Sequence, residues 1–127
     1  MPHNPDRGAR DDRIRAQHML EPARQARLFA RNRSRSDLGA DAMRTRALIH
    51  AIQEIGEAAS RMTQPARTRI PDLPWSKIVG MRHRLVHGYW DIDLDLVWTV
   101  VTRDLPPLIV ALEEAFKSWP LPQPPAN

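Results

Sequence analysis

Leu48, Ile52, Ile55, Ala59 and Met62 repeat at alternating steps of four and three through the middle of the chain. An α-helix gathers that spacing onto one apolar stripe, whereas a strand would scatter the same residues over both faces. The helix they define is expected to start between Asp37 and Asp41 and to end at Thr63-Gln64-Pro65, with a polar loop from there to Pro71. A second stripe of the same period, Leu94, Trp98, Val101, Leu105, Leu108, Leu112, Phe116 and Trp119, opens behind Asp93 and Asp95, acids that suit a helix N-terminus. Pro106-Pro107 interrupts it, so a sharp kink, or two helices with Asp104 capping the second, is expected there. Stripes this long must be buried against other helices.

Two further helices complete the set. Ala16, Met19, Leu20, Ala23, Ala26 and Ala30 make the first one amphipathic from about Asp11 or Asp12, with Pro22 inside it as a point of kinking or a short break, and Arg31 to Asp37 read as a polar loop. Asp72-Leu73-Pro74-Trp75 is a helix-start pattern, with proline in the first turn where its missing N–H costs nothing. The third helix then runs from about Pro74 to His87, with Gly88 as its left-handed cap. The fold class is all-α, an up-and-down bundle of four main helices with kinks at Pro22 and Pro106-Pro107. It occupies residues 11–119, between a disordered stretch 1–10 and a Pro-rich disordered tail 120–127.

At 127 residues and 42% apolar content this is one domain with a modest core, which a partner subunit would enlarge. No run approaches the ~18 apolar residues of a membrane span, and the N-terminus lacks a signal peptide's apolar core. The chain contains no cysteine, which rules out disulfides and thiolate metal sites and suits a reducing compartment; a soluble, cytoplasmic protein with no membrane partner is the default expectation. A formal charge of +4 fits a polyanionic partner, and nine of the arginines fall between Arg7 and Arg35. Two readings stay open for them: a solvated helix face, or a patch that faces RNA.

Chemistry concentrates between Gly80 and Asp93, where Arg82, His83, Arg84, His87 and Tyr89 fall within eight positions. Arginine can offset charge developing on a phosphate, histidine can move protons near neutrality, and tyrosine offers an acceptor hydroxyl. Each has a plain structural reading as well: Arg82 as an ion-pair partner of an acid such as Glu57, His87 as a charge at a helix C-terminus, Tyr89 and Trp90 as packed aromatics. Glu57 flanks the apolar stripe of its helix and reads first as a surface carboxylate. His83, His87 and Asp91 could be metal ligands, but Gly88 breaks the helix before Asp91 and no metal is expected. On a helix, positions five apart lie about 140° around the axis, so Arg82 and His87 of one chain flank a surface more than they touch.

The spacing Arg82-x4-His87-x-Tyr89, with Pro74-Trp75, Ile78-Val79-Gly80, Val97-Trp98, Gly56-Glu57-Ala58-Ala59, Asp41-Ala42 and Asp104-Leu105-Pro106 in matching order, resembles the HEPN superfamily, specifically its HepT-like toxins, over residues 12 to 118. The resemblance implies a homodimer whose cleft holds two Arg82 and two His87, cutting RNA without a metal or other cofactor. It implies Glu57 at the border of the cleft and His83, where related toxins often carry asparagine, as supporting residues. It further implies the toxin half of a type VII toxin–antitoxin pair, in which an MntA-like nucleotidyltransferase antitoxin transfers AMP to Tyr89. The alternative is a non-catalytic helical accessory module that binds a nucleotidyltransferase or its nucleotide, with Arg82 and His87 as phosphate binders.

Overall fold

The computed structural model describes residues 5–85 and 91–119, without the side chains of residues 5–7, 9 and 82. The described residues form eight α-helices and one π-helical turn: α1 Pro5–Ala30, α2 Arg35–Ala40, α3 Ala42–Ser60, α4 Gln64–Arg69, α5 Trp75–Val79, α6 Met81–Leu85, α7 Leu94–Thr99, the π-turn Val100–Asp104, and α8 Leu105–Ser118. The all-α expectation holds. No described helix is long and apolar enough to cross a membrane.

The centre is the seam between α1 and α3. Ala16, Met19, Ala23 and Ala26 of α1 and Leu48, Ile52, Ile55 and Ala59 of α3 are fully buried. Alanines along α1 let the helices approach closely, and the stripe on α3 fills the space between them. Both ends of the seam are pinned by polar contacts. At one end the buried Asp12 carboxylate accepts the Thr63 backbone N–H at 3.0 Å and the Thr63 hydroxyl at 2.5 Å, tying α1 to the chain just beyond α3. At the other, Arg44 Nη1 donates to the carbonyl of Phe29 at 2.7 Å, satisfying one of the open acceptors of the last turn of α1.

Several boundaries differ from the expected ones. α1 reaches back to Pro5, ahead of Asp11, and continues through Pro22 without a break. A separate short helix, α2, begins inside the stretch Arg31 to Asp37 expected as a polar loop and ends at Ala40 before α3; a capping box between Ser34 and Asp37 opens it, and Leu38 on it is buried. The supposed loop 63–71 contains α4, whose N-cap Thr63 accepts the Ala66 N–H. The third helix is split at Gly80, whose N–H bonds back to Ser76 at 3.0 Å. Its expected end at His87-Gly88 lies outside the described residues, as does the tail 120–127.

The proline pair is absorbed by widening the helix before it. The Leu105 N–H bonds to the carbonyl of Val100, five residues back, which defines the π-turn, and α8 then starts with both prolines in its first turn. Proline at 106 cannot donate to Val101, and that carbonyl accepts Arg27 Nη1 at 3.3 Å. Asp104 sits at the junction, but its side chain makes no capping hydrogen bond.

Asp41, the N-cap of α3, accepts the Arg44 N–H. That bond holds its carboxyl below the ordinary range; the Arg44 side chain and the charge of Arg33 add to the effect and partial desolvation opposes it. A depressed folded-state pKa means its stabilising contribution is present above about pH 4 and lost as pH falls through the lowered value.

Asp12→Ala leaves the Thr63 N–H and hydroxyl without their acceptor and should cost about 2 kcal/mol, or about 8 °C in Tm for a chain of this size. A circular-dichroism melt reads this directly. A Tm within about 1 °C of the parent would remove Asp12 from the account of the fold.

Candidate functional site: the α5–α6 segment and its supports

The segment that carries Arg82 and His83 is held against α3 by backbone contact. Gly56 is buried on α3, and a Cβ there would stand 3.3 Å from the carbonyl oxygen of Ile78 and 3.8 Å from that of Val79. Only a residue without a side chain lets the last turn of α5 lie this close. This gives the Gly56-Glu57-Ala58-Ala59 stretch a physical reason: Ala58 and Ala59 are buried as well, so this part of α3 is a smooth surface on which the neighbouring elements rest.

The approach to α5 is braced separately. Trp75 Nε1 donates to Ile70 O at 3.0 Å, the Arg67 guanidinium lies 5.6 Å from the Trp75 ring centre, and Arg67 Nη2 donates to Ala59 O at 3.1 Å. Ile78, Met81 and Leu85 point into the core and fix which way the segment is turned. At its far end the Asp93 N–H donates to Leu85 O at 2.9 Å, and the Asp93 carboxylate then caps α7 by accepting the Leu96 N–H at 3.0 Å. The two residues flanking the stretch that holds His87 and Tyr89 are thus joined to each other.

The candidate residues fall differently. Arg82 is placed on α6 by its backbone, one step along from the buried Met81, but its side chain is not described. His83 is exposed. Glu57 is exposed on α3, with Arg61 Nη2 3.5 Å from its carboxylate, a weak surface pair one helical turn away. Among the described residues no hydrogen bond joins Glu57 to the α5–α6 segment. His87 and Tyr89 lie outside the described residues, and with them the metal reading of His83, His87 and Asp91.

Arg84 belongs to the same cluster in the sequence, which assigns it no role of its own. Its Nη2 is enclosed and has no hydrogen-bond partner among the described residues. It shares a helical face with Met81, three positions earlier, and with it lines a groove of about 940 Å³ between α5–α6 and the first turns of α8, opposite Pro107, Val110 and Ala111. The usable sequence signal was that spacing, which sets Arg84 beside the apolar side of α6 and apart from His83.

The sequence pattern of the family described as ribonuclease HepT-like matches residues 19–115, most of the helical domain. The chain belongs to the HepT-like ribonuclease family. It is 40% identical over 60 residues to a protein of Methanocaldococcus jannaschii named "Putative RNase", a match that covers 47% of this chain and 55% of that one. It is 32% identical over 71 residues to "Probable ribonuclease HepT" of Thermococcus cleftensis, covering 56% and 64%, and 28% identical over 81 residues to a "Putative RNase" of Caldanaerobacter subterraneus, covering 64% and 72%. The chain thus spans a little over half the length of the first of these relatives. No solved structure matches it.

Replacing Gly56 by valine should force α5 away from α3 at the cost of about 2 kcal/mol, read as a lower urea midpoint. Gly39→Val is the control, because a Cβ at Gly39 meets nothing within 4 Å. Equal midpoints for the two variants would contradict the close approach at Gly56.

Proposed function

We propose that the chain is a metal-independent endoribonuclease whose working residues are Arg82 and His87, acting in a cleft shared by two copies. The observation that carries the reading is the bracing of α6: a segment with the Arg-x4-His spacing is set on α3 at Gly56 and tied at Leu85 to the cap of α7, in a chain that belongs to a ribonuclease family. A site that must hold a phosphate between groups from different turns needs such a scaffold.

His87 takes the proton of the ribose 2′-hydroxyl, or returns one to the leaving 5′-oxygen from the second copy. The 2′-oxygen attacks phosphorus, the P–O5′ bond breaks, and a 2′,3′-cyclic phosphate and a 5′-hydroxyl result. Arg82 offsets the added charge on the pentavalent phosphate. DNA lacks the attacking hydroxyl and is not cut. Two copies supply what one lacks, because Arg82 and His87 are spaced to flank a surface and a two-fold axis brings a second pair to the same cleft. His83 and Glu57 border that cleft and position RNA, His83 as a hydrogen-bonding group and Glu57 through its pairing with Arg61.

In the cell this makes the chain the toxin of a type VII toxin–antitoxin pair, neutralised by an MntA-like nucleotidyltransferase that transfers AMP to Tyr89. A phosphodiester there would compete with the substrate phosphate for Arg82 and His87 while the adenosine fills the cleft.

On a tRNA pool, Arg82→Ala and His87→Ala should each lower cleavage by at least about a hundredfold with unchanged helical circular dichroism. Full cleavage by His87→Ala would sink the mechanism. Tyr89→Phe should keep most of the cleavage and gain no AMP mass from the nucleotidyltransferase with ATP and magnesium; an AMP adduct that persists in Tyr89→Phe puts the modification elsewhere.

A further inference from the structure

We propose that the turn between α1 and α2 is a phosphate-binding surface that holds the RNA strand beside the α6 segment, with Arg31 and Arg33 as its contact residues. The proposal rests on the ribonuclease reading for its substrate and on the structure for its placement.

The arginine-rich N-terminal third divides in the fold. Arg15 pairs with Asp12, Arg24 with Glu113, Arg35 with Asp95, and Arg13 lies over the Phe116 ring at 5.1 Å. Arg27 serves the Val101 carbonyl. Apart from the Arg15–Asp12 pair within α1, these contacts join different elements of the bundle. Arg31 and Arg33 are exposed and make no ion pair among the described residues. The acids close to them are already committed: Asp37 to the Ser34 N–H at 2.7 Å, Asp41 to Arg44, and Asp95 to Arg35. Arg33 adds its charge to those that keep Asp41 ionised, yet no hydrogen bond joins them among the described residues.

The turn is built to hold a shape. Asn32 has φ of 60°, the left-handed region that asparagine enters more readily than most residues with a side chain. The Arg31 N–H bonds to Leu28 O and the Arg33 N–H to Ala30 O, and the capping box then starts α2 at once. Two guanidinium groups therefore stand on either side of one fixed left-handed residue, where little backbone entropy is lost when an anion is bound.

Arg35 Nε lies 2.5 Å from Asp95 Oδ1, which joins the start of α2 to the first turn of α7. The cap of α7, Asp93, bonds in turn to Leu85 at the end of α6. The arginine turn and the end of the catalytic segment thus share one end of the bundle. Guanidinium groups recognise phosphate by forked hydrogen bonds and carry no base preference, so this surface would position a strand without choosing its sequence.

The test uses the full chain and a 2′-O-methyl RNA, which cannot be cut through its 2′-oxygen. The double variant Arg31→Ala/Arg33→Ala should bind about tenfold more weakly, with the slope of log K against log salt reduced by about 1.5, as loss of two phosphate contacts requires. A charge-matched control at the opposite end of the bundle, Arg10→Ala/Lys117→Ala, should bind like the parent. On a cleavable tRNA pool the double variant should raise KM about tenfold with kcat within about twofold. Parental affinity and slope in the double variant, an equal loss in the control, a fall in kcat at unchanged KM, or no RNA binding by the parent would each overturn the proposal. RNA binding that follows the predicted pattern while the parent cuts nothing would support the turn and refute the ribonuclease reading.

Discussion

The contact between α1 and α3 is the core on which most of this domain is built: α2, α5 and α6 pack on α3, and the π-turn and α8 on α1. One side is a row of alanines with Met19 among them and the other is a branched aliphatic stripe, all fully buried. Small residues against large ones give close approach without voids, and burying the aliphatic side chains supplies most of the driving force. Polar contacts fix the two ends of the seam: Asp12 with Thr63 at one, Arg44 with the Phe29 carbonyl at the other. The outer face of α3 is then free to receive α5 at Gly56, so the candidate site depends on the same helix twice.

The second half of the chain solves a different problem. A stripe from Leu94 to Trp119 has to stay on one side although two consecutive prolines cannot donate hydrogen bonds. The π-turn inserts the needed slack ahead of them, and Val97, Val100, Val101, Leu105, Leu108 and Leu112 all remain buried. Arg27 reaches across from α1 to the carbonyl that Pro106 cannot serve, so the irregularity is stabilised by the central seam. Phe116 and Trp119 stack at 5.9 Å at the end of α8, with Arg13 and Arg69 over their faces.

The parts of this fold that could be read from sequence are those in which burial sets the period. The stripes on α1 and α3 emerge as expected, because a long buried face repeats the same constraint at every turn. The α2 and α4 helices were invisible to that reasoning. Each is six residues long and is held by a cap, Ser34 with Asp37 in one and Thr63 in the other, not by a stripe. At the start of the last stripe, Val97 and Val100 are fully buried beside the expected Val101, whereas Leu94 and Trp98 are only half-buried against the core, because the π-turn adds a residue to the period there. In the site, Arg82 and His83 were legible as chemistry because arginine and histidine are conspicuous near glycine. Gly56 showed only as part of a family pattern, because a close backbone approach leaves no trace in the sequence except a missing side chain.

On the proposed mechanism, residues braced on this scaffold cut RNA through its own 2′-hydroxyl. The most direct measurement gives the parent protein two otherwise identical oligonucleotides spanning a mapped cut site, one all-ribose and one with a single 2′-deoxynucleotide 5′ to the scissile phosphate, in the presence of a chelator. The ribose strand should be cut to a 2′,3′-cyclic phosphate and a 5′-hydroxyl while the substituted strand stays intact at that position. Cleavage of the deoxy-substituted strand at the same bond, or loss of all cutting in the chelator, would contradict it.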